Sequence, residues 1–301
     1  MNLDPLDFRF DSHLIVAIRA WQHLLNEDLK AARFPVPVHL AFGYEGLAVA
    51  LAGVMSGRDR VILPHRNVAY QLAFLRDVAP LAREFLGQAN GVAGGLLGSM
   101  NLVAPCTPVS YTTSILGNGL PVASGVAMQT QLCGDNAATF VVIGDGAIEE
   151  GSFYETLVFA KSHGLSLCLI QENNDQSMSS SIAARRKTIF WDKICEAVDV
   201  PFFQARGMSF DDCATALAKA RDASLSGKTP ALVEVALYPY NQHAGPTPGW
   251  PGDAKQISIQ GGPFLAPPES DPLRSIQNLG EDEILSFFNA ILAESGNPPA
   301  A

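Results

Sequence analysis

The chain has 301 residues, 48% of them hydrophobic and 17% charged, which is enough apolar material for a substantial core. A formal net charge of −10, with 20 Lys and Arg scattered along the chain, argues against a nucleic-acid surface, and no apolar run reaches membrane-spanning length. The five cysteines, at 106, 133, 168, 195 and 213, form no CxxC pair and are odd in number. They predict reduced thiols of a cytoplasmic protein rather than a disulfide or zinc framework, and Met1 to Pro5 lacks the basic start of a signal peptide.

In chain order, the first predicted element is an amphipathic helix from Ser12 to Arg33. Leu14, Ile18, Trp21, Leu25 and Leu29 keep helical spacing, Ser12 is its expected cap, and Pro35 and Pro37 stop it. Gly43-Tyr44-Glu45-Gly46 opens a small-residue helix, Leu47 to Met55. Val61 to Leu63 follows as a short strand, with Pro64-His65-Arg66-Asn67 at its carboxyl end. A strand-end arginine near an anion site is a natural clamp, although position alone equally suits a solvated surface residue. Five glycines between Gly87 and Gly98 mark either a mobile lid or a place where backbone must approach something closely. Ser114 to Pro121 then runs into a second small-residue helix, Val122 to Thr130.

The central stretch is a buried strand, Ala138 to Ile143, stopped by the turn Gly144-Asp145-Gly146. A helix with Phe153, Tyr154, Leu157, Val158 and Lys161 at steps of three and four comes next. A second apolar run, Leu165 to Ile170, ends in Glu172-Asn173-Asn174-Asp175. This pattern is one parallel crossover unit with polar groups at the carboxyl end of each strand, within an α/β fold. The polar loop 177–181 leads to Arg185-Arg186-Lys187, three adjacent positive charges that read best as a solvated helix turn, the alternative being that they border the site entrance or a partner. Beyond it lie a helix from Asp211 to Ser224, an apolar strand from Ala231 to Leu237, a Pro/Gly-rich covering loop from Gly245 to Pro268 and a closing helix from Glu281 to Leu292.

The paired strand ends suit a divalent metal carrying a diphosphate. Asp145 offers a carboxylate oxygen, Asn174 a carboxamide oxygen, and the carbonyl of Gln176 a third hard oxygen for the octahedron that Mg2+ demands. Gly144 and Gly146 allow close backbone approach, and the following helix directs N–H groups at phosphates.

Between Gly146 and Asn173 lie 26 residues, and Gly-Asp-Gly, a gap of that length and Asn-Asn together resemble the thiamine diphosphate fingerprint. From about His39 to Gly249 the chain is similar to the α subunit of the thiamine diphosphate-dependent 2-oxo acid dehydrogenases, the decarboxylating component of pyruvate and branched-chain complexes. The supporting blocks are Gly43-Tyr44-Glu45-Gly46, Pro64-His65-Arg66, Gly98-Ser99-Met100, Ile115-Leu116-Gly117, Gly144-Asp145-Gly146-Ala147, Glu172-Asn173-Asn174 and the histidine-bearing loop 238–245. The resemblance implies a three-layer fold with a mainly parallel sheet flanked by helices. It divides the chain into an N-terminal helical segment (1–38), a diphosphate-binding domain (39–250) and a C-terminal loop and helix (251–301).

It further implies that Asp145, Asn174 and the Gln176 carbonyl hold Mg2+. Arg66, His65 and His243 would meet the diphosphate or the reacting centre, with His65 and His243 as the catalytic candidates. Ser114, Gly144, Gly146 and Ala147 would line the cofactor, and Ile115-Leu116 would sit beneath its bend. A β subunit would supply the missing carboxylate, giving an α2β2 assembly. The substrate would be a 2-oxo acid or ketose, and a lipoyl or acyl carrier domain is a possible further partner.

Some positions depart from the family. Asn101, Val68 and Asn241 stand where it usually has histidines associated with acyl transfer to lipoamide. Glu150-Gly151 and Leu116-Gly117-Asn118-Gly119-Leu120 lean toward transketolase-type sequences. A split transketolase subunit that passes a two-carbon unit to an aldehyde or carrier, and a non-catalytic cofactor-binding subunit, are therefore the competing expectations.

Overall fold

The structure, a computed structural model, describes residues 11–178, 180–240 and 257–295. Six strands form one sheet: β1 (Arg60–Pro64), β2 (Val109–Thr113), β3 (Thr139–Gly144), β4 (Leu167–Asn173), β5 (Phe202–Arg206) and β6 (Ala231–Ala236). All pair in parallel, in the order β2-β1-β3-β4-β6-β5. The strands read as near-continuous apolar runs because both faces are covered.

Their side chains alternate between two cores. Val61, Leu63, Phe140, Val142, Cys168, Ile170, Val233 and Val235 enter one. Ile62, Val141, Ile143, Leu167, Leu169 and Leu232 enter the other. The first core is covered by α1 (Ser12–Lys30), α2 (Glu45–Val54), α3 (Val68–Leu75), α4 (Ala79–Phe85), α9 (Phe210–Gly227) and α10 (Glu281–Glu294). The second is covered by α5 (Gly119–Leu132), α6 (Gly151–His163) and α8 (Trp191–Ala197). One further turn of helix, α7 (Ile182–Arg185), lies between β4 and α8. The expected three-layer α/β architecture is therefore present.

Several details differ from the predicted elements. The cap of α1 is Asp11, whose carboxylate accepts from Leu14 N at 3.2 Å, so Ser12 lies inside the helix and donates to Asn278 instead. The helix ends at Lys30, before Arg33. In α6 the buried positions are Phe153, Thr156, Leu157 and Ala160, whereas Tyr154 and Val158 are exposed. β2, α3 and α4 carry no clear periodicity of their own and emerge from tertiary pairing.

A buried ion cluster ties the first layer together. Arg19 of α1 donates to Glu45 at 2.7 Å and to Asp271 at 2.9 Å, and all three side chains are fully buried. Among the described residues, no helix is long and apolar enough to cross a membrane.

Candidate functional site

Strand order reverses beside β1: the chain leaves β1 for β2 on one side, then returns past it to β3 on the other. Loops from neighbouring strands diverge at such a switch point and leave a crevice beyond their carboxyl ends. A cleft enclosing about 640 Å³ of empty space, partly open to solvent, lies there. It is lined from β1 by His65 and Arg66, from the end of β2 by Ser114 and Leu116, and from β3 by Gly144, Asp145, Gly146 and Ala147. Glu172, Asn174 and Gln176 line it from β4. Every candidate among the described residues thus reaches one cleft. His243 and Asn241 lie outside the described residues.

Arg66 is 4% exposed, so it is not the surface arginine that its position also allowed. Its Nη1 donates to the Leu40 carbonyl at 2.5 Å. His65 packs edge-on against His39, ring centroids 5.0 Å apart. Asn67 fixes this loop by donating to the carbonyls of Pro64 and Ser99 at 2.9 and 3.0 Å. Val68 is fully buried in the first core, so the side chain at that position points away from the cleft.

Between β3 and β4, Gly144 pairs with Glu172 in register, which sets Asp145 and Asn174 at adjacent strand ends. The Asp145 N–H donates to the Glu172 carbonyl at 3.1 Å. A Cβ on Gly144 would meet open space, whereas one on Gly146 would collide with Ser177 Oγ, so the turn needs glycine only at the second position. Asn174 Nδ2 donates to the buried Tyr44 hydroxyl at 2.5 Å, and Asn174 Oδ1 accepts from Gln176 N at 2.9 Å. These bonds orient the carboxamide while leaving its oxygen one further lone pair.

Burial pushes the Asp145 carboxyl up, opposed by the hydrogen bond from Arg185. Burial also raises Glu172 to about 7, against a hydrogen bond from Tyr70, whose hydroxyl donates to Oε1 at 2.6 Å. The expectation of a solvated Arg185-Arg186 turn fails. Arg185 Nη2 lies 2.8 Å from Asp145 Oδ2, and Arg186 Nε lies 2.8 Å from Glu149.

The glycine-rich stretch is a close approach in the described structure. Glu84, 1% exposed, accepts N–H bonds from Ala93, Gly95 and Leu97 at 2.7–2.9 Å. Side chains at Gly91 and Gly95 would collide with the backbone of Glu84 and Gly87. Tyr44, Tyr70, Glu84 and Glu172 received no role from sequence, and Arg185 only the less favoured one of bordering the site entrance or a partner. For Glu172 a signal existed, since a carboxylate closing an apolar strand on its core-facing side must find a partner.

Two helices with apolar or small-residue faces are used internally. α1 is buried against α10 and the first core, and Gly46 of α2 packs on Gly207 and Pro272 of the same chain. Gly125 of α5 has nothing within 4 Å of where a Cβ would stand.

The protein is thus an α/β protein with a parallel sheet whose strand-order switch opens on a cleft lined by acid and amide oxygens and a buried arginine. Residues 16–249 match the dehydrogenase E1 component family, and the chain belongs to it. The family implies thiamine diphosphate as cofactor and a 2-oxo acid dehydrogenase subunit as the class of protein. The chain is 27% identical over 243 residues to the pyruvate dehydrogenase E1 component subunit alpha of Rickettsia bellii, covering 80% of this chain and 72% of that one. It is 29% identical over 235 residues to the mitochondrial subunit of Saccharomyces cerevisiae, covering 78% of this chain and 55% of the relative. It is 30% identical over 208 residues to the Rickettsia felis subunit, covering 68% and 63%. The chain thus spans between about half and three quarters of these relatives' lengths. These similarities favour the dehydrogenase reading over the transketolase-type and regulatory ones.

Proposed function

We propose that this chain is the α subunit of a thiamine diphosphate-dependent enzyme that decarboxylates a 2-oxo acid, pyruvate or a close analogue, and passes on the acyl unit. The observation that carries it is the convergence of Asp145, Asn174, Gln176 and Arg66 on one switch-point cleft.

The donor set fits Mg2+. One carboxylate oxygen, one carboxamide oxygen and one backbone carbonyl are hard ligands, and open space lies beside Gly144. Among the described residues no three His, Cys, Asp or Glu side chains converge, so a metal here takes one charged ligand and neutral oxygens. Arg66 supplies positive charge to the diphosphate from a desolvated position, where its field is little screened. Bound thiamine diphosphate supplies the carbanion-stabilising chemistry. Ile115 and Leu116, 66% and 47% exposed, offer the apolar support under its bend. His65 lines the cleft, and the resemblance assigns it and His243 to contacts with the diphosphate or the reacting centre.

Among the described residues, the buried carboxylates Glu45 and Glu172 are engaged away from the far end of the cofactor. Glu45 is bound by Arg19, Gln22 Nε2 at 2.9 Å and Gly43 N at 2.8 Å, and it lies outside the cleft lining. Glu172 is held by Tyr70 beside Asp145, at the diphosphate end. As the resemblance implies, a β subunit supplies the carboxylate that completes the site, in an α2β2 assembly. The exposed apolar residues Leu132 of α5 and Tyr154, Val158 and Phe159 of α6 offer it a contact face. The free thiols, buried at Cys168, Cys195 and Cys213, accord with a reducing, cytoplasmic setting.

Calorimetry with Mg2+ and thiamine diphosphate tests the site. Asp145→Ala and Asn174→Ala should each abolish metal-dependent binding while the fold persists, and unchanged affinity in both would refute the assignment. Mass spectrometry of the products formed with the co-expressed β subunit and a panel of 2-oxo acids and ketoses fixes the reaction. Products from ketoses alone would overturn the decarboxylase reading.

A further inference from the structure

We propose that Arg185 is a positioning residue for the metal site: it holds Asp145 through Oδ2 and leaves Oδ1 to the cation. The inference rests on the cofactor reading above and adds a residue from a part of the chain that the shared motif does not include.

Three features support it. The first is the direction of approach. Asp145 lines the cleft whereas Arg185 is not among its lining residues, which accords with the guanidinium meeting the carboxylate outside the open space. Only Oδ2 receives the Arg185 side chain, at 2.8 Å.

The second is anchoring. Arg185 Nη1 donates to the Ser180 carbonyl at 2.5 Å, and Nε and Nη2 donate to Glu149 at 3.1–3.3 Å. Glu149 is held in turn by Arg186 Nε at 2.8 Å, and the Arg186 guanidinium lies 5.5 Å from the Trp191 ring centroid. The side chain is 16% exposed. A guanidinium fixed on three sides is a poor candidate for displacement and a good fixed donor, because its planar fork is already organised. The cluster pairs two carboxylates with two guanidiniums, so it is neutral before any cation arrives.

The third is the loop that carries it. From Asn174 onward the chain folds back on itself. Asp175 Oδ1 accepts from Ile182 N at 2.8 Å, and Ser177 and Ser180 exchange backbone hydrogen bonds at 3.0 Å. Ser181 caps α7, its Oγ accepting from Ala184 N at 3.3 Å. One compact loop therefore carries the proposed ligands Asn174 and Gln176 and, eleven positions beyond Asn174, the group that orients the third ligand. Groups that hydrogen-bond a ligating carboxylate set its geometry, and losing one typically costs about 10–100-fold in metal affinity. Mg2+ requires a near-ideal octahedron and Ca2+ tolerates irregular sites, so a misoriented carboxylate penalises Mg2+ more.

The test is titration calorimetry of thiamine diphosphate with Mg2+ or Ca2+, using the full chain co-purified with its β subunit. Arg185→Gln should weaken Mg2+-supported binding about 10–100-fold and Ca2+-supported binding less. Arg185→Lys, which keeps the charge but loses the fork, should fall between. Thermal melts without cofactor check that the variants fold. Equal losses with both cations would reduce Arg185 to a structural or purely electrostatic role and refute the proposal. Unchanged or tighter Mg2+-supported binding would refute it too, the latter showing a guanidinium that competes with the cation. If Asp145→Ala loses binding while Arg185→Gln does not, this inference falls and the cofactor reading stands. If the unsubstituted protein binds no thiamine diphosphate, both fall.

Discussion

Ile115 and Leu116 form an unusual feature, two adjacent aliphatic residues left 66% and 47% exposed at the lip of the cleft. In the proposed complex the cofactor covers them. Fully burying such a side chain is worth about 1.5–3 kcal/mol, so covering the exposed half of Leu116 contributes about 1 kcal/mol and the exposed two-thirds of Ile115 about 1.5 kcal/mol. Leu116→Ala should then weaken thiamine diphosphate binding about fivefold, and Ile115→Ala about tenfold. The double variant should lose about 2 kcal/mol, short of the simple sum because neighbouring residues couple. The free protein keeps only the buried third of Ile115, so Ile115→Ala should lower its unfolding free energy in denaturant by about 0.5–1 kcal/mol, less than its loss of binding. The assay is calorimetric titration at saturating Mg2+ with the β subunit present, paired with urea melts of the cofactor-free chain. Unchanged cofactor affinity in the double variant would refute the placement of the cofactor's bend. A loss of stability equal to the loss of affinity would show instead that the pair supports the fold.

Three further outcomes follow from particular contacts. His23 is fully buried between Phe42 and Phe288, and burial lowers its pKa from 6.5 to about 3. The unfolded chain therefore binds the extra proton between pH 6.5 and 3, so stability falls as pH falls, by about 1.4 kcal/mol per unit, or about 2 kcal/mol at pH 5 relative to neutral. In urea melts at pH 7.5 and 5.0, His23→Leu should remove that share of the acid sensitivity, and an unaltered pH dependence would refute the assignment. Arg19→Met should cost about 3–5 kcal/mol in denaturant melts, because it strands the buried Glu45 and Asp271 carboxylates, and a loss under 1 kcal/mol would show that water compensates them. With Val68 turned into the core and Asn101 exposed, the complex should acylate a free lipoyl domain poorly while still decarboxylating with an artificial electron acceptor, and efficient reductive acylation would refute this.

The sequence by itself determined the crossover unit at the centre of the chain. Apolar runs of strand length closed by Gly144-Asp145-Gly146 and by Glu172-Asn173-Asn174 are local signals. The period of a strand and the geometry of a glycine turn depend on near neighbours, so they can be read without knowing the rest of the fold. The tertiary structure decided what those signals meet. Strand order is set by which apolar faces can be covered together, and only that order turns the ends of β1, β2, β3 and β4 into one cleft. The roles of Glu84, Glu172 and Arg185 were hidden for the same reason. A charged side chain looks alike in sequence whether solvated or buried, and its environment here comes from segments many residues away: the glycine-rich loop for Glu84, Tyr70 for Glu172, and Asp145 with Glu149 for Arg185. Burial then decides whether such a group is a solvated charge or part of a site, because unpaired charge in a desolvated place is too costly to persist.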